Sequence, residues 1–375
     1  MIQPAIAKAN DRHFMEMAME MAACATIETS PNPKVGCVIV MDDVVIGRGW
    51  TQAVGQAHAE VQALRDAAAQ GHDVRGATAY VTLEPCSHYG RTPPCANALV
   101  DAGIARVVAA IQDANPQVAG RGFAILRAAG IEVASASDFA WADVVLKARE
   151  MNLGFLKRME TGKPWVRMKV AASLDGKTAL PNGQSQWITS SAARQDGHVW
   201  RARADAILTG IGTVLADNPA LNVRGIETPR QPKKIVLDTY LRISPDAKLF
   251  EDADVLIVCA KDDASKRAQI EARGAEVLCI SDSSGRVDLY ALMLEFGRRQ
   301  LNEVHVEAGA ILNGALIEAN CVDELLVYLA PKLLGSGAGL FALEELTHVD
   351  QAKQLIFHDV SRVGDDLRVL ARFKK

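Results

Sequence analysis

Short β-prone runs alternate with segments of helical periodicity along almost the whole chain, and that alternation restricts it to layered α/β architectures. Phe14, Met17, Ala18, Met21 and Ala25 recur at helical spacing and predict an amphipathic helix over residues 12–28. Runs at 35–40 and 44–46 flank Asp42-Asp43 and predict a hairpin. Helices at 58–69, after Cys95 and near 123–129 then interleave with strands at 77–83, 106–110 and 131–134. The charged stretch 147–164 ends in the breaker cluster Thr161-Gly162-Lys163-Pro164, which suits a linker. Beyond it a second series offers strands at 166–171, 206–208, 235–237, 255–259, 277–280, 304–306 and 325–329. At 375 residues the chain exceeds the length at which one core keeps growing, so two domains are expected, residues 1–150 and 151–375.

Charge and cysteine usage narrow the class. A formal net charge of −4 provides no global positive field for a polyanion, which disfavours nucleic acid as a partner. Seven scattered cysteines, an odd number, do not make a disulfide framework and fit a reducing compartment. Residues 1–11 lack a basic region followed by an apolar stretch, and no later apolar run reaches membrane-spanning length. The expectation is a soluble cytoplasmic protein with no membrane partner.

The residues that carry chemistry are His58-Ala59-Glu60, then Pro85-Cys86 at a predicted strand end, then Cys95. One imidazole and two thiolates make a three-ligand zinc set with the fourth tetrahedral position open, as in catalytic zinc sites. Glu60 is not required as a ligand and is free to shuttle protons. H-x-E followed by P-C is the pattern of zinc nucleobase deaminases, although the usual second half is P-C-x-x-C and here residues 87–94 separate the two cysteines. The competing readings are unrelated thiols beside a helix-capping histidine, and a non-catalytic zinc scaffold; the latter has no use for Glu60.

The segment Glu84-Pro85-Cys86-Ser87-His88-Tyr89-Gly90-Arg91-Thr92-Pro93-Pro94-Cys95 closely resembles the zinc segment of the bifunctional riboflavin-biosynthesis deaminase/reductase family. Pro31-Asn32-Pro33-Lys34-Val35-Gly36 is similar to that family's substrate loop, and 169–179, Ser185-Gln186-Trp187-Ile188-Thr189 and 213–224 resemble its reductase half. The resemblance implies a cytidine-deaminase-like three-layer α/β/α domain followed by a dihydrofolate-reductase-like α/β domain. It implies zinc-dependent deamination of 2,5-diamino-6-(5-phosphoribosylamino)pyrimidin-4-one, then NADPH-dependent reduction of the ribosyl group of the product to ribityl. By position it gives zinc to His58, Cys86 and Cys95, the proton shuttle to Glu60, and pyrimidine or phosphoribosyl contacts to Asn32, His88 and Arg91. It assigns NADPH to Ala171, Trp187, Thr213, Asp217 and a turn comprising Gly309, Ala310, Ile311, Leu312, Asn313, Gly314 and Ala315. It assigns the reductase substrate to Ser185, Arg201, Leu221, Arg224 and Glu307. A homo-oligomer is also expected.

Independently of that resemblance, Gly210-Ile211-Gly212-Thr213-Val214-Leu215 lacks the third glycine of a Rossmann fingerprint. The strand at 304–306 running into a small-residue turn and a helix through Ile317 could present backbone amides to a pyrophosphate. Arg201 and Arg224 suit a ribose phosphate, because guanidinium donors match its oxygens in pairs. Lys169 and Asp175 both flank a strand end, and either could supply a proton during reduction. The alternative is a zinc deaminase acting on another nucleotide-like or nucleic-acid substrate, with a non-catalytic C-terminal domain.

Overall fold

The computed structural model describes residues 7–87, 93–251 and 254–374. The chain divides into two compact units, Met1–Gly162 and Lys163–Lys375. The division therefore falls later than the expected residue 150. Residues 151–162 stay with the first unit because the helix they form buries Phe155 and Leu156 in its core.

In the first unit the strands are β1 (Gly36–Met41), β2 (Val44–Trp50), β3 (Thr78–Val81), β4 (Arg106–Ala109) and β5 (Glu132–Ser135). They form one sheet in the order β2-β1-β3-β4-β5, antiparallel through β3 and parallel beyond it. The helices are α1 (Asp11–Ala23), α2 (Ala59–Ala69), α3 (Cys95–Asp101), α4 (Arg121–Ala128), α5 (Ala142–Met151) and α6 (Leu153–Thr161). Glycines show how tightly helices sit on both faces. A Cβ on Gly36 would lie 2.0 Å from the Ala18 carbonyl oxygen of α1, and one on Gly49, paired with Cys37 and hence on the opposite face, would lie 2.4 Å from the Ala59 carbonyl oxygen of α2. This is the three-layer α/β/α sandwich. The α1 helix ends at Ala23, before the predicted residue 28, because Thr26 starts a separate short turn by accepting the Glu28 N–H.

Beneath the sheet a buried ion pair ties α1 to β4. Arg106 donates to both Asp11 oxygens at 2.6 and 2.7 Å, and the Tyr80 hydroxyl donates to Asp11 Oδ1 at 2.6 Å. Burial alone would raise the Asp11 carboxyl, but hydrogen bonds from Arg106, Tyr80 and the Lys8 N–H outweigh it and hold it below the ordinary range.

The second unit carries β6 (Trp165–Ser173), β7 (Lys177–Ala179), β8 (Ala206–Gly210), β9 (Lys233–Leu237), β10 (Val255–Cys259), β11 (Glu276–Cys279), β12 (Glu303–Val306), β13 (Glu324–Ala330), β14 (Ala338–Gly339), β15 (Leu355–Val363) and β16 (Asp366–Phe373). Its helices are α7 (Ser191–Arg203), α8 (Ile211–Asp217), α9 (Ala264–Glu271), α10 (Leu289–Arg298) and α11 (Ala310–Glu318). The main sheet runs β11-β10-β9-β8-β12-β6-β13-β16-β15, parallel from β11 to β13 and antiparallel in the last two steps, while β7 and β14 pair separately. All seven strands expected from sequence are present. The unexpected hairpin β15–β16 lies at the sheet's edge, where much of β15 is exposed and apolar residues need not alternate cleanly.

Candidate active sites

The first unit gathers its reactive side chains at the end of β3 and the starts of two helices. His58 is the N-cap of α2, with extended backbone, and Glu60 follows in the first turn, buried. Cys95 opens α3, and its N–H donates to Cys86 Sγ at 3.3 Å, so the peptide dipoles at that helix start favour a thiolate there. His58 Nδ1 lies 3.6 Å from Cys86 Sγ and 3.4 Å from Cys95 Sγ, and all three donor atoms fall within 4.8 Å of one another. Bond lengths to zinc of about 2.3 Å for sulfur and about 2.0 Å for nitrogen, in tetrahedral geometry, place such donors about 3.5 Å apart. The donor set therefore fits zinc in both chemistry and spacing. Hydrogen bonds from Cys95 foremost hold the Cys86 thiol well below the ordinary cysteine range. Burial first, then the Cys86 thiolate, push the Glu60 carboxyl up to about 7, where it can both take and give a proton near neutrality.

Two supporting residues escaped sequence reasoning. Glu84 is buried, and its carboxylate accepts the backbone N–H groups of Asp113 at 3.2 Å, Gly120 at 2.9 Å and Phe123 at 3.2 Å. Gly122 leaves no room behind this clamp, since a Cβ there would lie 2.0 Å from the Pro85 carbonyl oxygen. The one signal was an acid placed directly before Pro85-Cys86 at the end of an apolar run. Asn152, buried between α5 and α6, hydrogen-bonds the backbone of Lys34, and Arg158 Nη2 donates to the Pro31 carbonyl at 3.0 Å. Asn32, between them, is half-buried, and its N–H donates to the Thr29 carbonyl at 2.8 Å. His88 and Arg91 lie outside the described residues.

The second unit holds a cleft of about 650 Å³, a size suited to small-molecule ligands. Of the residues expected there, Ala171, Ser185, Trp187, Arg201, Thr213, Asp217, Leu221, Arg224, Glu307, Gly309, Ala310 and Asn313 line it. Ile311, Leu312, Gly314 and Ala315 are not among the lining residues, because the expected turn is already helix from Ala310 and turns them elsewhere. Gly314 instead permits close packing: a Cβ there would lie 2.0 Å from the Ala342 carbonyl oxygen. Thr213 and Asp217 come from α8 at a spacing of four, on one helix face. Trp187 is 64% exposed at the rim, with the Arg194 guanidinium 4.3 Å from its ring centroid.

Electrostatics separate residues that looked equivalent in sequence. Arg201 Nε and Nη2 bind Glu307 at 2.5 and 2.9 Å, and Nη1 donates to the Asn222 carbonyl at 2.8 Å. Burial opposes ionisation of Glu307, but Arg201 more than compensates and holds it well below the usual carboxylate range. Arg201 is thus committed to its own protein, whereas Arg224 is exposed and its guanidinium meets Asn222 Oδ1 at 3.2 Å. Lys169 lines the cleft; Asp175 does not. The exposed Asp175 carboxylate instead accepts from the Ser173 hydroxyl at 2.5 Å and from the N–H groups of Leu334 and Gly335, closing a turn.

Comparison with known proteins agrees with this division. Residues 8–111 match the cytidine and deoxycytidylate deaminase zinc-binding region, and residues 164–369 match the RibD C-terminal domain. The riboflavin biosynthesis protein RibD of Escherichia coli is 46% identical over 370 residues, covering 95% of this chain and 98% of that protein. A RibD structure from Acinetobacter baumannii superposes with a TM-score of 0.88 at 42% identity, covering 98% of this chain and 99% of that one. The structure of a diaminohydroxyphosphoribosylaminopyrimidine deaminase/5-amino-6-(5-phosphoribosylamino)uracil reductase from Thermotoga maritima gives 0.85 at 30% identity, covering 97% and 99%. With full-length relatives at this identity and a family match in each unit, the chain belongs to the RibD family of riboflavin biosynthesis proteins, bifunctional enzymes that join a zinc deaminase to an NADPH-using reductase.

Proposed function

We propose that the first unit deaminates 2,5-diamino-6-(5-phosphoribosylamino)pyrimidin-4-one and that the second reduces the ribosyl group of the resulting 5-amino-6-(5-phosphoribosylamino)uracil to ribityl. The observation that carries the reading is the buried Glu60 carboxyl set beside a histidine and two cysteines whose donor atoms already have tetrahedral spacing. His58, Cys86 and Cys95 hold the zinc. A zinc ion bound by these three supplies a water of pKa about 7. Glu60 carries one proton from the attacking water to the ring nitrogen and a second, from the hydroxyl added at the carbon, to the amine, which leaves as ammonia. Asn32, His88 and Arg91 contact the pyrimidine or its phosphoribosyl tail.

In the cleft of the second unit, Ala171, Trp187, Thr213, Asp217 and the start of α11 at Gly309, Ala310 and Asn313 hold NADPH, which supplies the hydride. Ser185, Leu221 and Arg224 bind the phosphorylated substrate. Glu307 orients its sugar, and Arg201 keeps Glu307 ionised and in place. Lys169 is the proton donor of choice, since Asp175 is occupied in its turn. Absorbance of NADPH and release of ammonia, followed with the diaminopyrimidine substrate, test both steps on the whole chain. Failure to oxidise NADPH on the deaminated product would remove the second activity.

The enzyme works in the cytoplasm on a small substrate and does not need nucleic acid. Among the described residues no helix is long and apolar enough to cross a membrane. A homo-oligomer is supported by the exposed apolar side chains Ile356, Phe357 and Val360 on the outermost strand β15, an edge that another copy could cover. Sedimentation velocity of the full chain tests it, and a monomer at micromolar concentration would rule it out.

A further inference from the structure

His198 was not singled out by any sequence signal, yet it lines the cleft of the second unit. It lies on α7 three positions before Arg201, so the two side chains share a face of that helix. Each holds the backbone of the segment that follows α8. His198 Nδ1 accepts the Arg224 N–H at 3.2 Å, and Arg201 Nη1 donates to the Asn222 carbonyl at 2.8 Å. Leu221, at the start of this segment, has φ of 50°, in the left-handed region that a leucine adopts only under constraint. The segment keeps its shape because neighbouring groups fix it, and Gln231 adds two more bonds to Val223.

The Arg224 guanidinium is exposed and donates to Asn222 Oδ1 inside its own loop, so its position at the cleft depends on where its backbone is held. An acceptor role for Nδ1 requires the ring proton on Nε2, a neutral donor on a residue that borders the cavity. Burial first, then the charges of Arg201 and Arg224, press the imidazole down to about 4 and keep Nδ1 available as an acceptor.

We propose that His198 is a positioning residue of the reductase: by holding the Arg224 backbone it sets the guanidinium where the substrate's phosphate docks. The proposal rests on the reading of Arg224 as the phosphate contact. His198→Leu removes the acceptor, whereas His198→Asn can return a side-chain oxygen close to the place of Nδ1.

The test uses the full chain and NADPH oxidation, with the deaminated substrate offered both with and without its phosphate, and Arg224→Ala run alongside. For the phosphorylated substrate, His198→Leu is expected to raise KM about three- to tenfold, the worth of one hydrogen bond, with kcat changed by less than about twofold. KM for NADPH and ammonia release should not move. His198→Asn should regain most of the loss, and the dephosphorylated substrate should not distinguish His198→Leu from the parent. If Arg224→Ala raises KM for the phosphorylated substrate and His198→Leu does not, the role of His198 is overturned while the phosphate reading stands. If Arg224→Ala leaves that KM alone, the phosphate reading fails and takes the proposal with it. Equal losses of His198→Leu on both substrates, or no recovery in His198→Asn, overturn the proposal as well.

Discussion

The side-chain amide of Asn152 grips Lys34 by both backbone groups: Oδ1 accepts its N–H at 2.8 Å and Nδ2 donates to its carbonyl at 2.9 Å. Asn152 lies outside residues 8–111, the span of the deaminase-family match, so helices beyond that span hold the loop carrying Asn32. Two hydrogen bonds of about 1 kcal/mol each are at stake. Asn152→Leu should therefore raise KM for deamination by roughly tenfold or more while zinc content stays at one per chain. Ammonia release measured beside metal analysis checks this, and a parallel fall in zinc would place the defect in the fold rather than the loop.

Removing either thiolate leaves two donors where the metal needs three. Cys86→Ser and Cys95→Ser should each lose most of their zinc on dialysis, measured by elemental analysis. Glu60→Gln should keep its zinc and lose deamination by roughly a hundredfold or more, the scale of a general acid/base. Near-normal turnover in Glu60→Gln would remove it from the mechanism.

The residues proposed for each activity come from one unit, so the two should separate. Glu60→Gln should still oxidise NADPH when given the deaminated substrate. Arg201→Ala leaves the Glu307 carboxylate largely buried without its partner, a change that costs about 3–5 kcal/mol when a buried pair is broken. Reduction should fall and the unit Lys163–Lys375 should unfold at lower urea, with ammonia release spared. Arg224→Ala, which breaks no buried pair, should leave stability unchanged.

The Asp11–Arg106 pair makes stability depend on acid. Because the folded carboxyl titrates below its unfolded value of about 3.9, its contribution is complete above that value and disappears as pH falls through the lower folded one. Asp11→Asn should be less stable than the parent at pH 7 and should lose less stability between about pH 5 and pH 2. Urea melts across that range provide the comparison; parallel curves would show that the pair contributes nothing to the acid limb.

Much of this was legible in the chain itself. Periodicity placed β1 to β5 and the parallel strands of the second sheet, because buried strands are apolar runs bounded by breakers. That His58, Cys86 and Cys95 come together in the fold was foreseeable, because metal chemistry constrains residue type and order together. The end of the first unit was misplaced because α6 looks like a charged linker until Phe155 and Leu156 are seen to be buried. Glu84, Asn152 and His198 were missed for one reason: each acts on backbone groups distant in sequence, and an amide N–H leaves no mark in a sequence. Conversely, Arg201 was visible as a cation but not as one already bound to Glu307.

The clamp on Glu84 bears on how the metal leaves, as distinct from how tightly it sits. Cys86 follows two residues after a carboxylate held by three amides of 113–123, and Gly122 packs against the intervening Pro85 carbonyl. If Cys86 holds the zinc, its thiolate swings aside only when that arch loosens, so dissociation is expected to be slow even under a strong chelator. Glu84→Gln keeps the shape but replaces one acceptor oxygen with a donor that confronts an N–H. Its zinc should pass to a chelating dye markedly faster than the parent's, which would make the lifetime of the metal a property set by residues 113–123, a segment that supplies none of the proposed ligands.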